Sequence, residues 1–355
     1  MTTVLVYEWC CGDAAREDSS RAAPLWAEGW AMLSGAVADF RRVAGVQVRT
    51  VLGAGLHFEP AVAAAASDWP DVDITWTNDE PAAFRTAAAG AEFALVVAPE
   101  FDRILETRCR WAVEAGATLL GPSPVVVALT ADKLAMARHF DRHGVLTPET
   151  TPARDVWLPA FPTPFVLKLR YGAGSQQLSV CTDRATVRDI ADEAAGAGEF
   201  ILQPLVTGLP ASVSFLIGSR RTHVLPPTEQ FVSVPGNFRY LGGRVPLLDP
   251  LADRAVRVAG HAAAAVSELN GYIGVDVILG HNPDGSRDFA VEINPRLTTS
   301  YVGLRALCED NLMEMLLRLV RGEAAPQPRW RAGGVSWTPA GEIRAFTSPT
   351  NLAAP

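Results

Sequence analysis

The sequence lacks the features that mark several broad classes of protein. No apolar run approaches the roughly 18 residues of a membrane-spanning helix, and a strand-like VLVY segment stands where a basic leader would be, so we expect neither a transmembrane helix nor a signal peptide. Acidic residues outnumber basic ones, 39 to 31, which gives a net charge of −8. This balance offers no electrostatic case for nucleic acid or an anionic membrane as a partner. Five cysteines without metal-ligand spacing suit reduced thiols in a cytoplasm.

Lysine is the scarcest charged residue. Of the 31 basic residues only Lys133 and Lys168 are lysines, and the other 29 are arginines. A lysine ammonium is a compact group with three donors, which a planar guanidinium does not replace. The two lysines are therefore candidates for sites that need such a group. The alternative is that they survive by chance.

The most informative stretch that is present is residues 271–296, GYIGVDVILGHNPDGSRDFAVEINPR. Two apolar runs, 274–279 and 289–294, flank a loop with Pro283, Asp284 and Gly285, which predicts a β-hairpin. Pairing centred on Asp284 gives one face a ladder of apolar cross-strand pairs. The predicted pairs are Val275–Ile293, Val277–Val291 and Leu279–Phe289.

The opposite face of this hairpin carries charge. Asp276 lies across from Glu292, with Asn294 further along the same side. Facing carboxylates repel each other, but two carboxylates and an amide oxygen suit Mg²⁺, which prefers oxygen ligands. Arg296 follows as a charge for a phosphate or a carboxylate. The alternative is a pair of solvated charges on a half-exposed sheet.

The N-terminal third alternates strand and helix patterns. Buried-strand runs at 4–7, 46–52, 74–76 and 93–98 are separated by helical segments, including one from Pro24 to Phe40, which predicts a parallel sheet. Ligands of such sheets gather at the carboxyl ends of the strands. Residues 8–13 and 99–102 are therefore candidate site loops, although Glu100 could instead cap a helix.

Both lysines lie in segments whose structure can be predicted. Thr130 or Asp132 caps a helix that runs to about His143 and carries Lys133 in its first turn, where the helix dipole favours an acid unless an anion is nearby. Lys168 lies on a strand, 165–169, which leads into a Gly-rich turn and a returning strand at 178–181. The backbone amides of such a turn can cover phosphates. Further strands at 200–203 and 212–217 are joined by a connector.

The order of these motifs resembles the ATP-grasp superfamily over roughly residues 128–325. The resemblance implies an α/β protein, α+β in its ATP-binding part, with a Rossmann-like N-terminal parallel-sheet domain. ATP and Mg²⁺ are the implied cofactors. One departure concerns the ribose, because Gly208 is followed by Leu209-Pro210-Ala211 where many members carry an acid.

The same resemblance assigns the site residues one by one. Lys133 and Lys168 would bind ATP phosphates, and Lys168 would also act in catalysis. The turn that would close over the phosphates consists of Gly172, Ala173, Gly174 and Ser175. The adenine segment consists of Gln203, Pro204, Leu205 and Val206. The Mg²⁺ ligands would be Asp276, Glu292 and Asn294.

We expect four regions along the chain. They are an N-terminal substrate-side domain (1–127), a small ATP-binding lobe (128–205), a C-terminal lobe with the metal site (206–325) and an extension (326–355) with one more hairpin at 335–346.

A narrower resemblance rests on four further stretches. The EINPRLTTSYVGLR, APEFDRIL and YLGGRVPL segments and the Glu28-Gly29…Met32-Leu33…Asp39-Phe40 spacing are similar to tyramine–glutamate ligases of methanofuran biosynthesis, whose bacterial relatives serve methylofuran. This implies an ATP-dependent ligase that joins glutamate to tyrosine or tyramine through an acyl phosphate. Its oligomeric state, monomer or homodimer, stays open.

On this hypothesis Arg296 contacts the reacting carboxylate or acyl phosphate. The secondary substrate candidates are Arg239, Tyr240, Arg244, Thr298, Thr299 and Ser300. The three hydroxyl residues could instead cap a helix carrying Leu304 to Leu319. Two other functions compete: an ATP-grasp ligase for another pair, such as a D-alanine or glutamate-tailing enzyme, and a nucleotide-binding protein without ligase activity.

Overall fold

The computed structural model describes residues 1–12, 19–153, 164–172, 178–183, 185–186, 189, 199–233 and 238–347. Within these ranges no helix combines the length and the apolar character needed to cross a membrane. The five cysteines are unpaired and buried, as expected of reduced thiols.

The N-terminal third forms a five-stranded parallel sheet in the order β3-β2-β1-β4-β5, which confirms the prediction. Its strands are β1 Thr2–Glu8, β2 Val46–Gly53, β3 Asp73–Thr77, β4 Phe93–Val97 and β5 Thr118–Leu119. Its helices are α1 Ser19–Phe40, α2 Pro60–Asp68, α3 Glu80–Ala89 and α4 Ile104–Glu114. Alternate β1 residues point to opposite faces, so Val4 and Val6 pack in one apolar cluster and Leu5 and Tyr7 in another.

Two helices lead from this sheet into a small antiparallel one. The helices are α5 Pro124–Ala131 and α6 Lys133–Arg142. The strands are β6 Thr151–Pro152, β7 Phe165–Leu169, β8 Ser179–Cys181 and β9 Phe200–Pro204, in the order β6-β9-β7-β8. Asp132 caps α6 by accepting hydrogen bonds from the Leu134 and Ala135 amides, as one of the two predicted caps.

A third, larger antiparallel sheet has the strand order β15-β14-β10-β12-β13-β16-β17, with β11 paired to β10. Its strands are β10 Leu209–Ile217, β11 Thr222–Val224, β12 Thr228–Val232, β13 Tyr240–Val245, β14 Gly271–Leu279, β15 Phe289–Asn294, β16 Gly334–Trp337 and β17 Ile343–Phe346. Its helices are α7 Leu251–Ala265, α8 Ser300–Leu307 and α9 Leu312–Val320. The predicted C-terminal hairpin is thus present as β16 and β17.

The single helix predicted over Leu304 to Leu319 is wrong. α8 ends at Leu307, and α9 begins after Asn311, whose side chain accepts hydrogen bonds from the Met313 and Glu314 amides. Asn is a strong N-cap residue, so it starts a new helix although the apolar periodicity runs on.

The β14–β15 hairpin has the predicted register only near its carboxylates. Asp276 pairs with Glu292 and Val275 with Ile293, but a β-bulge shifts the rest, so that Val277 pairs with Ala290 and Ile278 with Phe289. The predicted Val277–Val291 and Leu279–Phe289 pairs are therefore wrong. The extra residue lets Val291 and Glu292 both face the same cleft while Ala290 and Ile293 stay in the core.

One apolar cluster holds the first and third sheets together. It combines β1 and α1 side chains, such as Val6 and Phe40, with Leu304 of α8 and Leu316 of α9. At its edge the buried carboxylate of Asp39 accepts hydrogen bonds from the Tyr301 hydroxyl and from the Arg305 guanidinium. These contacts fix the C-terminal end of α1 against α8.

Candidate active site

The centre of the site is the charged face of the β14–β15 hairpin. Asp276 and Glu292 are direct cross-strand partners. Asp276 accepts hydrogen bonds from the Asn294 amide at 2.9 Å and from the Gln230 amide at 3.0 Å. Both amide nitrogens point at Asp276, so the amide oxygen of each side chain is left for another ligand.

The pKa values of the two carboxyl groups are driven apart. Burial, and then repulsion by Glu292, raises the pKa of Asp276. Burial also opposes ionisation of Glu292, but the ammonium groups of Lys133 and Lys168 outweigh it and lower the pKa of Glu292. A divalent cation between the two would relieve the repulsion that burial intensifies.

The donor set suits Mg²⁺. Two carboxylates with amide oxygens nearby are hard oxygen ligands, and Mg²⁺ commonly keeps waters and substrate phosphates in the rest of its shell. In the described part of the chain, no group of three or more His, Cys, Asp or Glu side chains is arranged so that it could hold a metal ion. The protein would therefore supply only part of the coordination, as predicted for Asp276, Glu292 and Asn294.

Lys133, in the first turn of α6, has an anion near it that offsets its unfavourable position relative to the helix dipole. Its Nζ contacts Glu292 Oε2 at 2.9 Å and donates to the Gly172 carbonyl at 2.8 Å. Burial lowers the pKa of Lys133, but the attraction of Glu292 and Glu100 outweighs it and the net shift is upward. The unfavourable position relative to the helix dipole is thus compensated by the hairpin carboxylate.

Lys168 is buried in the middle of the cleft, with 7% of its surface exposed. Burial lowers the pKa of this lysine to about 8, against the attraction of Glu292, and repulsion by Lys133 adds to the lowering. An arriving anion would restore the charged form, so the position favours a phosphate ligand.

These groups line a cavity of about 530 Å³ between the second and third sheets. We call it the nucleotide cleft. Its charged lining consists of Lys133, Lys168, Asp276 and Glu292, and its apolar lining includes Leu169, Leu205, Val206, Phe238, Val277 and Ile278. Apolar walls with a few convergent charges are typical of small-molecule sites.

The predicted adenine segment is only partly in this cleft. Leu205 and Val206 line it, whereas the Gln203 side chain donates to the Thr150 hydroxyl at 2.7 Å and lies outside the lining, as does Pro204. The strand register places Gln203 on the same sheet face as Lys168, so it is the bond to Thr150 that holds its side chain outside the lining. Of the predicted phosphate turn, Gly172 lines the cleft, and Ala173, Gly174 and Ser175 lie outside the described residues.

A second cavity, of about 170 Å³, lies between the carboxyl ends of β1 and β4 and the third sheet. We call it the substrate cavity. Its polar lining consists of Glu8, Glu28, Gln230, Tyr240, Asp276, Glu292, Asn294, Arg296, Thr298, Thr299 and Ser300. Asp276, Glu292, Gln230 and Val232 line both cavities, so the hairpin carboxylates form their common wall.

Arg296 spans the junction of the first and third sheets. Its Nε contacts Glu100 Oε1 at 2.8 Å, and Nη2 contacts Oε2 at 3.2 Å. The alternative in which Glu100 caps a helix is wrong, since the residue precedes a short 3₁₀ turn but its side chain makes no capping bond. The buried Glu100 instead holds the guanidinium in position at the cavity wall.

The hydroxyl residues after Arg296 also face the substrate cavity. Thr299 donates to Glu28 Oε2 at 2.7 Å, and Thr298 and Ser300 share a hydrogen bond of 2.7 Å. Thr299 stands at the N-cap position of α8 without a side-chain capping bond. The capping alternative for these residues therefore fails.

The two secondary arginine candidates lie elsewhere. Arg239 is exposed, and Arg244 pairs with Glu229 at 2.7 Å on the face of β13 that turns away from the substrate cavity. Tyr240 does line the substrate cavity. From the loop after β1, Cys10 lines it as well, whereas Trp9 and Cys11 are buried in apolar clusters. Two histidines on α6, His139 and His143, are spaced as metal ligands can be on one helix. Each ring nitrogen instead contacts a backbone oxygen, so this spacing does not indicate a metal site.

Sequence reasoning missed Gln230 and gave Glu28 no role. Gln230 carried no signal, because it reaches Asp276 only through the sheet order in which β12 and β14 both pair with β10. Glu28 carried a weak one, since the Glu28-Gly29 pair was part of the narrower resemblance.

Two models of known protein domains match successive parts of the chain. A sequence model of the ATP-grasp domain matches residues 130–300, and a model of the domain that precedes it in such proteins matches residues 57–127. The chain contains an ATP-grasp domain. Its fold agrees with solved structures of this kind. An ATP-grasp superfamily protein from Archaeoglobus fulgidus superposes with a TM-score of 0.69 at 21% identity, over 95% of this chain and 92% of the other.

Another similar structure is N5-carboxyaminoimidazole synthetase from Staphylococcus aureus complexed with ADP. It gives a TM-score of 0.70 at 12% identity and covers 95% of this chain and 82% of that one. At these identities the likeness concerns the fold alone.

Among curated relatives, this ATP-grasp protein is similar to the tyramine–L-glutamate ligase of Methanocaldococcus jannaschii. The two are 28% identical over 232 residues, which is 65% of this chain and 64% of that enzyme, slightly less than two thirds of its length. The D-alanine–D-alanine ligase of Desulfovibrio desulfuricans is 29% identical over 257 residues, which is 66% of this chain and 81% of the enzyme.

Proposed function

We propose that this ATP-grasp protein is an ATP-dependent carboxylate–amine ligase that joins L-glutamate to the amine of tyramine or tyrosine. The observation that carries the proposal is the common wall of the two cavities. A nucleotide in the larger one and an amino acid in the smaller one would meet at Asp276, Glu292 and the nearby Arg296. The similarity to tyramine–L-glutamate ligases suggests the substrate pair.

The chemistry follows from the poor electrophilicity of a carboxylate. Transfer of the γ-phosphoryl group of ATP to a glutamate carboxylate gives an acyl phosphate and ADP. The amine then attacks the acyl carbon and phosphate leaves, so that the products are an amide, ADP and inorganic phosphate. Both steps build negative charge on phosphoryl oxygens, and positioned cations stabilise it.

The residues at and beside the common wall have the following roles in this scheme. Lys133 and Lys168 contact the ATP phosphates, and the Gly172 backbone lies beside them. Asp276, Glu292 and Asn294 would hold Mg²⁺. When bound, the metal would neutralise phosphate charge and orient the nucleotide. Arg296 orients the glutamate carboxylate that receives the phosphoryl group, with Glu100 holding its guanidinium in place. The furan-cofactor pathway implied by the sequence stays a prediction.

The test is product mass spectrometry with purified protein, ATP, Mg²⁺ and L-glutamate, adding tyramine, tyrosine or a non-aromatic amine in turn. We expect a glutamyl amide of tyramine or tyrosine and equimolar ADP, and no product from the Glu292→Gln variant. In a parallel reaction with D-alanine in place of both substrates, a D-alanyl dipeptide would instead favour the function suggested by the D-alanine–D-alanine ligase relative. A glutamate chain on a non-aromatic acceptor, with nothing formed from either aromatic amine, would favour a glutamate-tailing ligase.

A further inference from the structure

Two carboxylates in the substrate cavity have no role in the scheme above. Glu8 ends β1, and Glu28 lies in α1, and both line the substrate cavity. Glu8 accepts a hydrogen bond from the Cys11 amide at 2.9 Å, and Glu28 accepts one from the Thr299 hydroxyl at 2.7 Å. Within the described residues neither carboxylate forms an ion pair. By contrast, Glu100, which lies just behind the cavity lining, is paired with Arg296.

Such carboxylates are costly to keep in a protein interior. Glu8 is 3% exposed, and burial raises its pKa to about 7 despite hydrogen bonds from Cys10 and Cys11. Burial also raises the pKa of Glu28, against the hydrogen bond from Thr299 and the attraction of Arg296, which is not in contact with it. A carboxylate that is buried without a cation is stabilised when a ligand brings one.

The backbone of α1 is shaped around Glu8. A Cβ atom placed on Gly29 would lie 2.5 Å from both Cδ and Oε2 of Glu8, and 2.8 Å from Oε1. Only glycine therefore allows the helix to lie this close to the carboxylate. The Glu28-Gly29 pair consequently supplies one carboxylate and makes room for the other.

The two ends of the substrate cavity thus suit ligand groups of opposite charge. Arg296 suits an anion, whereas Glu8 and Glu28 suit a cation. Both substrates of the proposed reaction carry a primary amine, which is protonated in neutral water. Glutamate also carries the carboxylates that Arg296 would bind.

We propose that Glu8 and Glu28 form a binding subsite for a primary ammonium group. The group belongs either to the amine acceptor or to the α-amine of glutamate, which present the same chemistry. This inference rests on the proposed function for the identity of the ligands. It concerns binding, and it assigns no proton transfer to either residue.

The experiment measures binding by calorimetry, with Mg²⁺ and a non-hydrolysable ATP analogue present. The probes are two matched pairs that differ by the amine: tyramine against 4-ethylphenol, and L-glutamate against glutarate. In the wild-type protein we expect the amine-bearing member of at least one pair to bind at least about tenfold more tightly than its partner, the size expected for hydrogen bonds to a charged group.

Glu8→Gln and Glu28→Gln keep the shape of each side chain and remove its charge. Each variant should lower the ratio of the affinity for the amine-bearing probe to the affinity for its amine-free partner severalfold. The affinity for 4-ethylphenol and glutarate themselves should stay within about twofold of the wild-type value. The pair whose ratio falls identifies the source of the ammonium. Gly29→Ala should lower the same ratio, because its methyl group displaces the Glu8 carboxylate. Glu114→Gln, an exposed change on α4, is the charge-matched control and should leave both ratios unchanged.

The results separate the two proposals. If both ratios survive in all three variants, or if the variants weaken the amine-free probes equally, the subsite is wrong. If the wild-type protein shows no preference for either amine, the subsite is also wrong. A wild-type protein that prefers an amine but yields no glutamyl amide would overturn the ligase proposal and leave the subsite standing.

Discussion

The nucleotide cleft and the substrate cavity share a wall but are built in different ways. The charged groups of the cleft come from one hairpin and from two lysines on neighbouring elements, and several of them already contact one another, as Lys133 contacts Glu292. The charged groups peculiar to the substrate cavity are Glu8, Glu28 and Arg296, which lie far apart in the sequence, and Glu100 holds Arg296 in place. The metal face of the cleft thus belongs to one local hairpin, although the cleft itself needs the second and third sheets to meet, whereas the charged groups of the cavity share no local motif.

The two sites also differ in charge balance. Two lysines oppose Asp276 and Glu292 in the cleft, whereas three glutamates face one arginine in and around the substrate cavity. A balanced site with buried lysines is suited to a nucleotide that arrives with its cation. A site with surplus carboxylates is suited to a ligand that brings positive charge. The following changes break or sharpen this comparison, beginning with the largest expected effect.

Glu292→Gln affects the wall that both sites share. We expect turnover to fall at least about a hundredfold at saturating Mg²⁺, because a metal ligand and the partner of Lys133 are lost together. Folding stability should change little, since the repulsion of Asp276 is relieved at the same time. Coupled ADP-release assays and thermal melts measure the two effects. Glu229→Gln, on β12 of the same sheet and turned away from the cavity, is the control. Near wild-type turnover in Glu292→Gln would remove the hairpin from the mechanism.

Arg296→Ala affects the substrate cavity alone. The reacting carboxylate loses a charge-assisted partner worth roughly 1.5–3 kcal/mol, so acyl-phosphate formation should fall by one to two orders of magnitude while ATP affinity is largely kept. Trapping of the acyl phosphate with hydroxylamine reports the first quantity, and calorimetry with ATP reports the second. Arg318→Ala, at an exposed position on α9, is the matched control. An equal loss of ATP affinity would show that the two sites are not separable.

Lys168→Arg affects the nucleotide cleft alone. The lysine is buried among cleft residues, where a wider planar guanidinium does not fit the same space, and ATP affinity should fall about tenfold. Lys133→Arg, which is more exposed, should cost less. Calorimetric titration with ATP measures the affinity of each variant. Arg138→Lys, the opposite exchange on the exposed face of α6, is the control. If both lysine variants bind ATP like the parent, the scarcity of lysine in this chain has no functional meaning.

The two lysines should also have opposite effects on folding when their charge is removed. The folded protein lowers the pKa of Lys168 to about 8, so its charge costs stability below that pH, and the cost fades as pH rises toward the ordinary lysine pKa. Lys168→Met should therefore stabilise the metal-free protein by on the order of 1 kcal/mol at pH 7, with the gain shrinking above pH 8. The raised pKa of Lys133 predicts destabilisation by Lys133→Met. Urea unfolding at pH 7 and pH 9.5 tests both, and equal signs would contradict the account.

Arg239→Ala should have the smallest effect. The residue is exposed and lies outside the lining of both cavities, so we expect turnover and the Michaelis constants for all three substrates to stay within about twofold of the parent, as is usual for surface substitutions. Tyr240→Phe, one residue further on and inside the substrate cavity, is the contrasting variant. A large loss in Arg239→Ala would restore it as a substrate contact.

Much of the fold could be predicted because its signals are local. The alternation of strand and helix patterns predicted the parallel sheet, and a cap at Thr130 or Asp132 predicted the start of α6. Both signals depend on residues that are neighbours in sequence. The errors arose where a local pattern was ambiguous. The apolar periodicity hid the break at Asn311, and hairpin symmetry hid the bulge beside Asp276, because a bulge changes pairing without changing composition.

The sequence alone determined the ATP-grasp order of motifs, the facing pair Asp276 and Glu292, and the two lysines as candidate phosphate ligands, because these depend on residue type and spacing along single elements. Only the tertiary structure decided that Glu100 belongs to Arg296 and not to a helix end, that Arg239 and Arg244 lie away from the cavity, and that Glu8 and Glu28 face one opening. The physical reason is that ion pairing and burial depend on which surfaces meet. Spacing along the chain does not encode the contact between the first and third sheets, which brings positions 8, 28, 100 and 296 together.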